Sequence, residues 1–162
     1  MYFGRQYIVA RLQRRFILPA RANARQYPAY QPRPDLFFMT DNCPCGSNKL
    51  FDACCGRFLY AGKQAATPEQ LMRSRYSAFV RGDVPYLLAT WHSSQRPAEL
   101  KLETGGKWLG LQIKHHRVTG ADTAEVEFVA RFRLGGKAVR QHERSCFVRE
   151  DGRWFYVDGD EL

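Results

Sequence analysis

Four of the chain's five cysteines fall within thirteen residues, as Cys43-Pro44-Cys45-Gly46 and Cys54-Cys55-Gly56, a C-x-C-x8-C-C pattern. Four thiolates this close can surround one tetrahedral Zn²⁺ at about 2.3 Å per Zn–S bond, a closed sulfur cage of the structural kind. With every position filled by protein, no coordination site is left for substrate or water, so the ion is expected to hold the fold and to catalyse nothing. Two disulfides or a C-x-C redox pair are the alternatives. Adjacent Cys54 and Cys55 would bridge only through a strained vicinal ring, and a redox pair uses two thiols of the four. Lys49, Arg57 and Lys63 stand near enough in sequence to offset the negative charge of the sulfurs. Cys146, in Arg144-Ser145-Cys146-Phe147, reads as a small packed strand residue.

The pattern after the motif changes twice. Thr67-Pro68-Glu69-Gln70 supplies an N-cap, a first-turn proline and the third residue of a capping box. Met72, Tyr76, Phe79 and Val80 then mark one buried helical face, which Gly82 terminates. Asp83 caps a second short helix carrying Val84, Leu87, Leu88 and Trp91. Residues 92–107 read as a loop. From Trp108 the period becomes two, which predicts strands over 108–118, 124–134, 138–149 and 153–158, turning at Gly120-Ala121-Asp122 and Gly135-Gly136. Helices first and an antiparallel meander after give an α+β class with one sheet face packed on the helix pair.

The Cys-Pro-Cys-Gly-Ser and Cys-Cys-Gly run resembles the SEC-C motif found at the C-terminus of the SecA translocase motor and in many small bacterial proteins. Thr67 to Trp91, together with Gly152-Arg-Trp-Phe-Tyr-Val-Asp-Gly159, is similar to the bacterial YchJ family. The resemblance runs from about Asn42 to Gly159. It implies a SEC-C zinc motif over 42–56, with Cys43, Cys45, Cys54 and Cys55 on one structural Zn²⁺. It also implies a nuclear-transport-factor-2-like domain over 67–159, a cystatin-like cone in which the helix pair packs on a curved antiparallel sheet.

Charge separates the start of the chain from the rest. Residues 1–38 hold seven Arg, no Lys and one acid, or +6 of the formal +9. This stretch is expected to be a basic extension, either a disordered tail, or a transit-like segment, or sequence upstream of a true start at Met39. No apolar run approaches the ~20 residues that span a bilayer, and no secretory signal is evident, which predicts a soluble cytoplasmic protein.

Function is less directly legible. No P-loop or nucleophile elbow is present. If Phe147 points inward, alternation places Ser145, Glu143 and Gln141 on the concave face. Glu143 is then a candidate proton-transfer base with a raised pKa, assisted by Ser145, or by His142 if a bulge swaps the faces. The plainer reading pairs Glu143 with Arg73 or Arg75. His115 and His116 point to opposite faces of a strand and cannot share an ion, while His92 stands at a helix end where it can cap. Arg153 beside Trp154, Phe155 and Tyr156 has the composition of an RNA-stacking platform. A saturated metal site and no recognisable catalytic set favour a non-enzymatic adaptor that docks a protein or ribosomal partner through the zinc knuckle. A small-molecule enzyme of isomerase or dehydratase type and an RNA-binding protein are the alternatives.

Overall fold

A computed structural model describes residues 41–102 and 105–162. The basic extension over 1–38 and Met39 lie outside the described residues. Three helices precede four strands: α1 (Gly56–Leu59), α2 (Pro68–Arg81), α3 (Val84–Ala89), β1 (Lys107–Val118), β2 (Thr123–Leu134), β3 (Lys137–Glu150) and β4 (Arg153–Glu161).

α2 begins and ends where its sequence signals stand. The Thr67 side chain accepts from the Gln70 amide at 3.2 Å. The Gln70 carboxamide reaches back to the Ala66 N–H at 3.0 Å, one residue before the cap itself. Gly82 ends the helix in the left-handed region at φ 70°, and its N–H and that of Asp83 close onto Phe79 and Ala78 carbonyls. Asp83 then accepts from the Tyr86 amide to start α3. α3 leads into Trp91, whose indole N–H donates to the Val157 carbonyl at 3.0 Å, tying the helix pair to β4.

The sheet is an antiparallel meander in the order β1-β2-β3-β4. Two-residue turns with both residues at positive φ, Gly135-Gly136 and Asp151-Gly152, join β2 to β3 and β3 to β4. Register shifts at Leu109 and Lys114 in β1 and at Cys146 in β3 add local twist and curl the sheet around α2. β4 runs three residues beyond the expected end, because Arg144 and Glu143 go on pairing with Asp160 and Glu161. Val126, Phe128, Ala130, Phe147, Trp154 and Tyr156 are buried on the inner face, and Arg131, Arg133, Arg140 and Arg144 are exposed on the outer one.

Fourteen residues cannot bury a core, so the sequence predicts a knuckle folded by its metal alone beside a domain over 67–159 that folds without it, and the core corrects that expectation. Residues 42–56 do not stand apart from the cone: Cys43, Cys45, Phe51, Cys55, Phe58 and Leu59 are buried in the same cluster as Leu71, Tyr76, Phe128 and Phe147. α2 is therefore covered on two sides, by the sheet and by the cysteine motif. Ser77 is buried there against Cys43, while Ser74 and Arg75, also off the apolar stripe, are buried on the α3 side against Tyr86, Leu87 and Thr90.

Candidate functional site

The cysteine motif folds as two tight turns that face each other. The Cys43 amide donates to the Lys49 carbonyl at 2.8 Å, and the amides of Cys54 and Gly56 both donate to the Phe51 carbonyl. These bonds hold the two cysteine pairs face to face. The sulfur atoms of Cys43, Cys45, Cys54 and Cys55 all lie within 4.8 Å of one another, with Cys45 to Cys54 at 3.7 Å and Cys54 to Cys55 at 3.9 Å. Four sulfurs at about 2.3 Å from a central ion would be about 3.8 Å apart along each tetrahedral edge. The cage therefore fits a tetrahedral metal ion. Among the described residues this is the one group of His, Cys, Asp and Glu with metal-site spacing.

Electrostatics agree with that fit. Hydrogen bonds from Cys45 and Cys55 pull the Cys43 thiol far below its ordinary range. Cys45, through its bond to Cys43, and Cys55, through its bonds to Cys43 and Cys45, are pushed above theirs. Crowding thus keeps Cys43, Cys45 and Cys55 from ionising together unless a cation replaces their protons. All five cysteines are free, so the paired disulfides are not formed.

The charge that answers the cage is non-local. Arg73 on α2 donates from Nη1 to the Cys45 carbonyl at 2.9 Å and from Nε to Glu69 at 2.8 Å. Arg57 stacks over the Phe58 ring at 4.6 Å. Ser77 lies 3.7 Å from the Cys43 sulfur, Ser47 lies 3.1 Å from that of Cys54, and Arg81 sits over the Phe51 ring at 3.8 Å. Helical spacing puts Arg73, Ser77 and Arg81 on one face of α2, so a scan for polar residues at i, i+4 and i+8 would have found this second seam.

The second constellation lies on the inner face. Glu143 and Ser145 are buried beside Phe147, as alternation requires. Glu143 Oε1 accepts from Ser145 at 2.7 Å and from the Tyr156 hydroxyl at 3.4 Å, and Oε2 accepts from Gln141 at 2.8 Å. Burial pushes its pKa up, opposed by those three donors and by the Arg75 guanidinium. Arg75 makes no direct ion pair with it. Its Nη1 donates to the Leu87 carbonyl at 2.7 Å and to Thr90 Oγ1 at 2.8 Å, while the guanidinium stacks on Tyr156 and Trp91. Full burial pushes Arg75 down to about 10.

A cavity of about 30 Å³ opens between Glu143, Arg75, Tyr156, Phe79 and Trp108, room for one or two water-sized groups. His142 faces the other way and binds Glu127 at 2.8 Å, so it takes no part in this cavity. His116 contacts Glu69, and His92 binds Glu150 rather than capping α3. The expected stacking platform is also absent in that form: Trp154 and Tyr156 are buried and Phe155 is half-buried. Cys146 is half-buried, and burial raises its thiol away from nucleophilic range.

Comparison with known proteins agrees with this arrangement. Residues 67–159 match the model of the YchJ middle NTF2-like domain, and residues 39–57 match the SEC-C motif. A UPF0225 protein of Polaromonas naphthalenivorans is 55% identical over 136 residues, covering 76% of this chain and 100% of its own. One from Xanthomonas campestris is 57% identical over 122 residues, covering 74% and 94%. The solution structure of a SEC-C motif containing protein from Rhodopseudomonas palustris superposes with a TM-score of 0.67 at 35% identity, covering 75% of this chain and 99% of that one. A Psychrobacter arcticus SEC-C protein gives 0.64 at 27% identity over 76% and 84%. With a cysteine cage folded against an NTF2-like sheet and relatives matched along almost their whole length, the chain belongs to the YchJ family of UPF0225 proteins.

Proposed function

We propose that the four cysteines hold one structural Zn²⁺ and that the protein is a non-enzymatic cytoplasmic adaptor, docking a protein partner through the outward side of the motif. The observation that carries the first half is the closed sulfur cage, whose spacing suits zinc at about 2.3 Å per bond and leaves no open coordination position. Purified protein should carry one equivalent of zinc per chain, and cobalt replacement should give the absorption of a tetrahedral thiolate site. Zinc-free protein with Cys43 to Cys55 oxidised would overturn the assignment. Five unpaired thiols suit a reducing compartment.

The docking half rests on the loop between the cysteine pairs. Its inward side is core, while Asn48, Lys49 and Leu50 are exposed, Leu50 by 51%. An apolar side chain beside a lysine on a rigid turn is a suitable anchor for a partner. A photoreactive residue replacing Leu50 should give one discrete adduct in cells, and one replacing Val118, more exposed at the end of β1, should not. Identical adduct patterns from both positions would sink this reading. The enzyme alternative is favoured by one observation, the raised carboxyl of Glu143 at the wall of a cavity with Ser145 beside it.

A further inference from the structure

The outer face of the sheet carries a patch that the metal centre and the inner cavity do not explain. The two-residue turn at Gly135-Gly136 sets the β2–β3 register so that Arg131 stands directly opposite Arg140. On the other side of β2, Lys107 stands directly opposite Arg133. All four are exposed. Residues directly opposite in an antiparallel pair share a face with Cβ atoms about 5 Å apart, and like charges there repel.

Two such pairs adjoin one another at one end of the sheet. No Asp or Glu occurs from Gly105 to Ala121 or from Phe128 to His142. Further along the same face the charges are balanced, Arg117 and Arg144 by Glu125 and Glu127, and Glu127 also by His142. Among the described residues Lys107, Arg131 and Arg133 make no ion pair, and Arg140 reaches only the His142 ring at 3.5 Å. The fold accepts repulsion at this end that it avoids at the other.

We propose that this patch, Lys107, Arg131, Arg133 and Arg140, binds the phosphate backbone of a nucleic acid. Arginine forks match phosphate oxygens, and the Cβ atoms that carry these side chains lie about 5 Å apart across strands and about 7 Å apart along β2. A polyanion laid over them turns two repulsive pairs into attraction. An acidic protein surface would need an apolar anchor as well, and the patch offers only Leu109 at its edge and the single methyl of Ala138 opposite Arg133, Val129 being fully buried. Backbone binding needs no such anchor. The contact reads charge and not sequence, so oligouridine and oligothymidine should bind alike.

The test uses the full chain and fluorescence anisotropy of a labelled oligouridine, titrated between about 50 and 200 mM salt. Binding should weaken with a log–log salt slope near −3, at about −0.7 per phosphate neutralised by four cations. Arg131→Gln with Arg140→Gln should weaken binding at least tenfold and reduce the slope by about 1.4. The melting temperature should stay the same or rise, since a repulsive pair has gone; a folding defect would lower it. Replacing Arg14 and Arg15 in the N-terminal segment by Gln tests the competing source of charge. If those changes abolish binding while the strand variant binds as the parent does, the proposal is wrong. It is equally wrong if polyglutamate of matched charge competes as well as the oligonucleotide, because the partner would then be an acidic protein.

Discussion

Stripping the metal should abolish cooperative unfolding of the entire described domain, not merely loosen the cysteine loop. A Cys₄ segment of this length has no core of its own, and structural zinc contributes about 10–16 kcal/mol of apparent binding energy in small zinc peptides. The total stability of a domain this size is about 5–15 kcal/mol. What couples the two is packing. Phe51, Phe58 and Leu59 belong to the central cluster, and Ser77 of α2 is buried against the Cys43 sulfur. Losing the cage would expose the apolar side of Phe51 and Leu59, and release Arg73 from the Cys45 carbonyl and Arg81 from the Phe51 ring. Calorimetry with and without chelator, or of Cys45→Ser, should show the main transition shifted down by well over ten degrees or lost. Hydrogen exchange should show α2 losing protection together with residues 43–56. Intact protection across α2 and β2 after chelation would show two independent modules instead.

The four cysteines of the cage were legible because they are local: two cysteine pairs eight residues apart can be read without knowing what they pack against. The helix ends were equally plain, since Thr67, Gly82 and Asp83 act within a turn of where they stand. Faces were legible wherever alternation held, which put Glu143 and Ser145 inside and left His142 outside. What failed were contacts carried across the fold. An apolar stripe counts only hydrophobic residues, so the polar second seam of α2 through Arg73, Ser77 and Arg81 was invisible to it. Arg73 reaches the Cys45 carbonyl from 28 residues away, a contact that nearness in sequence could not suggest. The basic patch was within reach, because a two-residue turn at Gly135-Gly136 already fixes Arg131 opposite Arg140. The pairing of Lys107 with Arg133 was not, since it depends on the register shift at Leu109.

Glu143→Ala should cost about 3–5 kcal/mol, because three buried donors from Ser145, Gln141 and Tyr156 lose their acceptor and buried Arg75 loses its nearest counter-charge. Across the β3–β4 pairing Gly159 stands opposite Ser145, two positions from Glu161, the partner of Glu143. A methyl group at Gly159 would fall 2.7 Å from Glu143 Cδ and against its Oε1, so the carboxylate fits only because that position has no side chain. Gly159→Ala should therefore cost about 1–3 kcal/mol by overpacking, yet far less in a Glu143→Ala background, where the clashing atoms are gone. Additive costs in that double-mutant cycle would show that Gly159 acts through the strand alone. The pH response gives an independent reading. A carboxyl whose folded pKa is raised binds its proton more tightly in the native state. Its contribution to stability is full below the unfolded value and is lost as pH rises through the raised folded value. Glu143→Gln keeps the shape without the titration, so its stability should stay flat over the interval where that of the parent falls. An unchanged slope in the variant would mean that Glu143 is already ionised throughout, held as a carboxylate by its three donors and Arg75, and the case for it as a proton-transfer base would be gone.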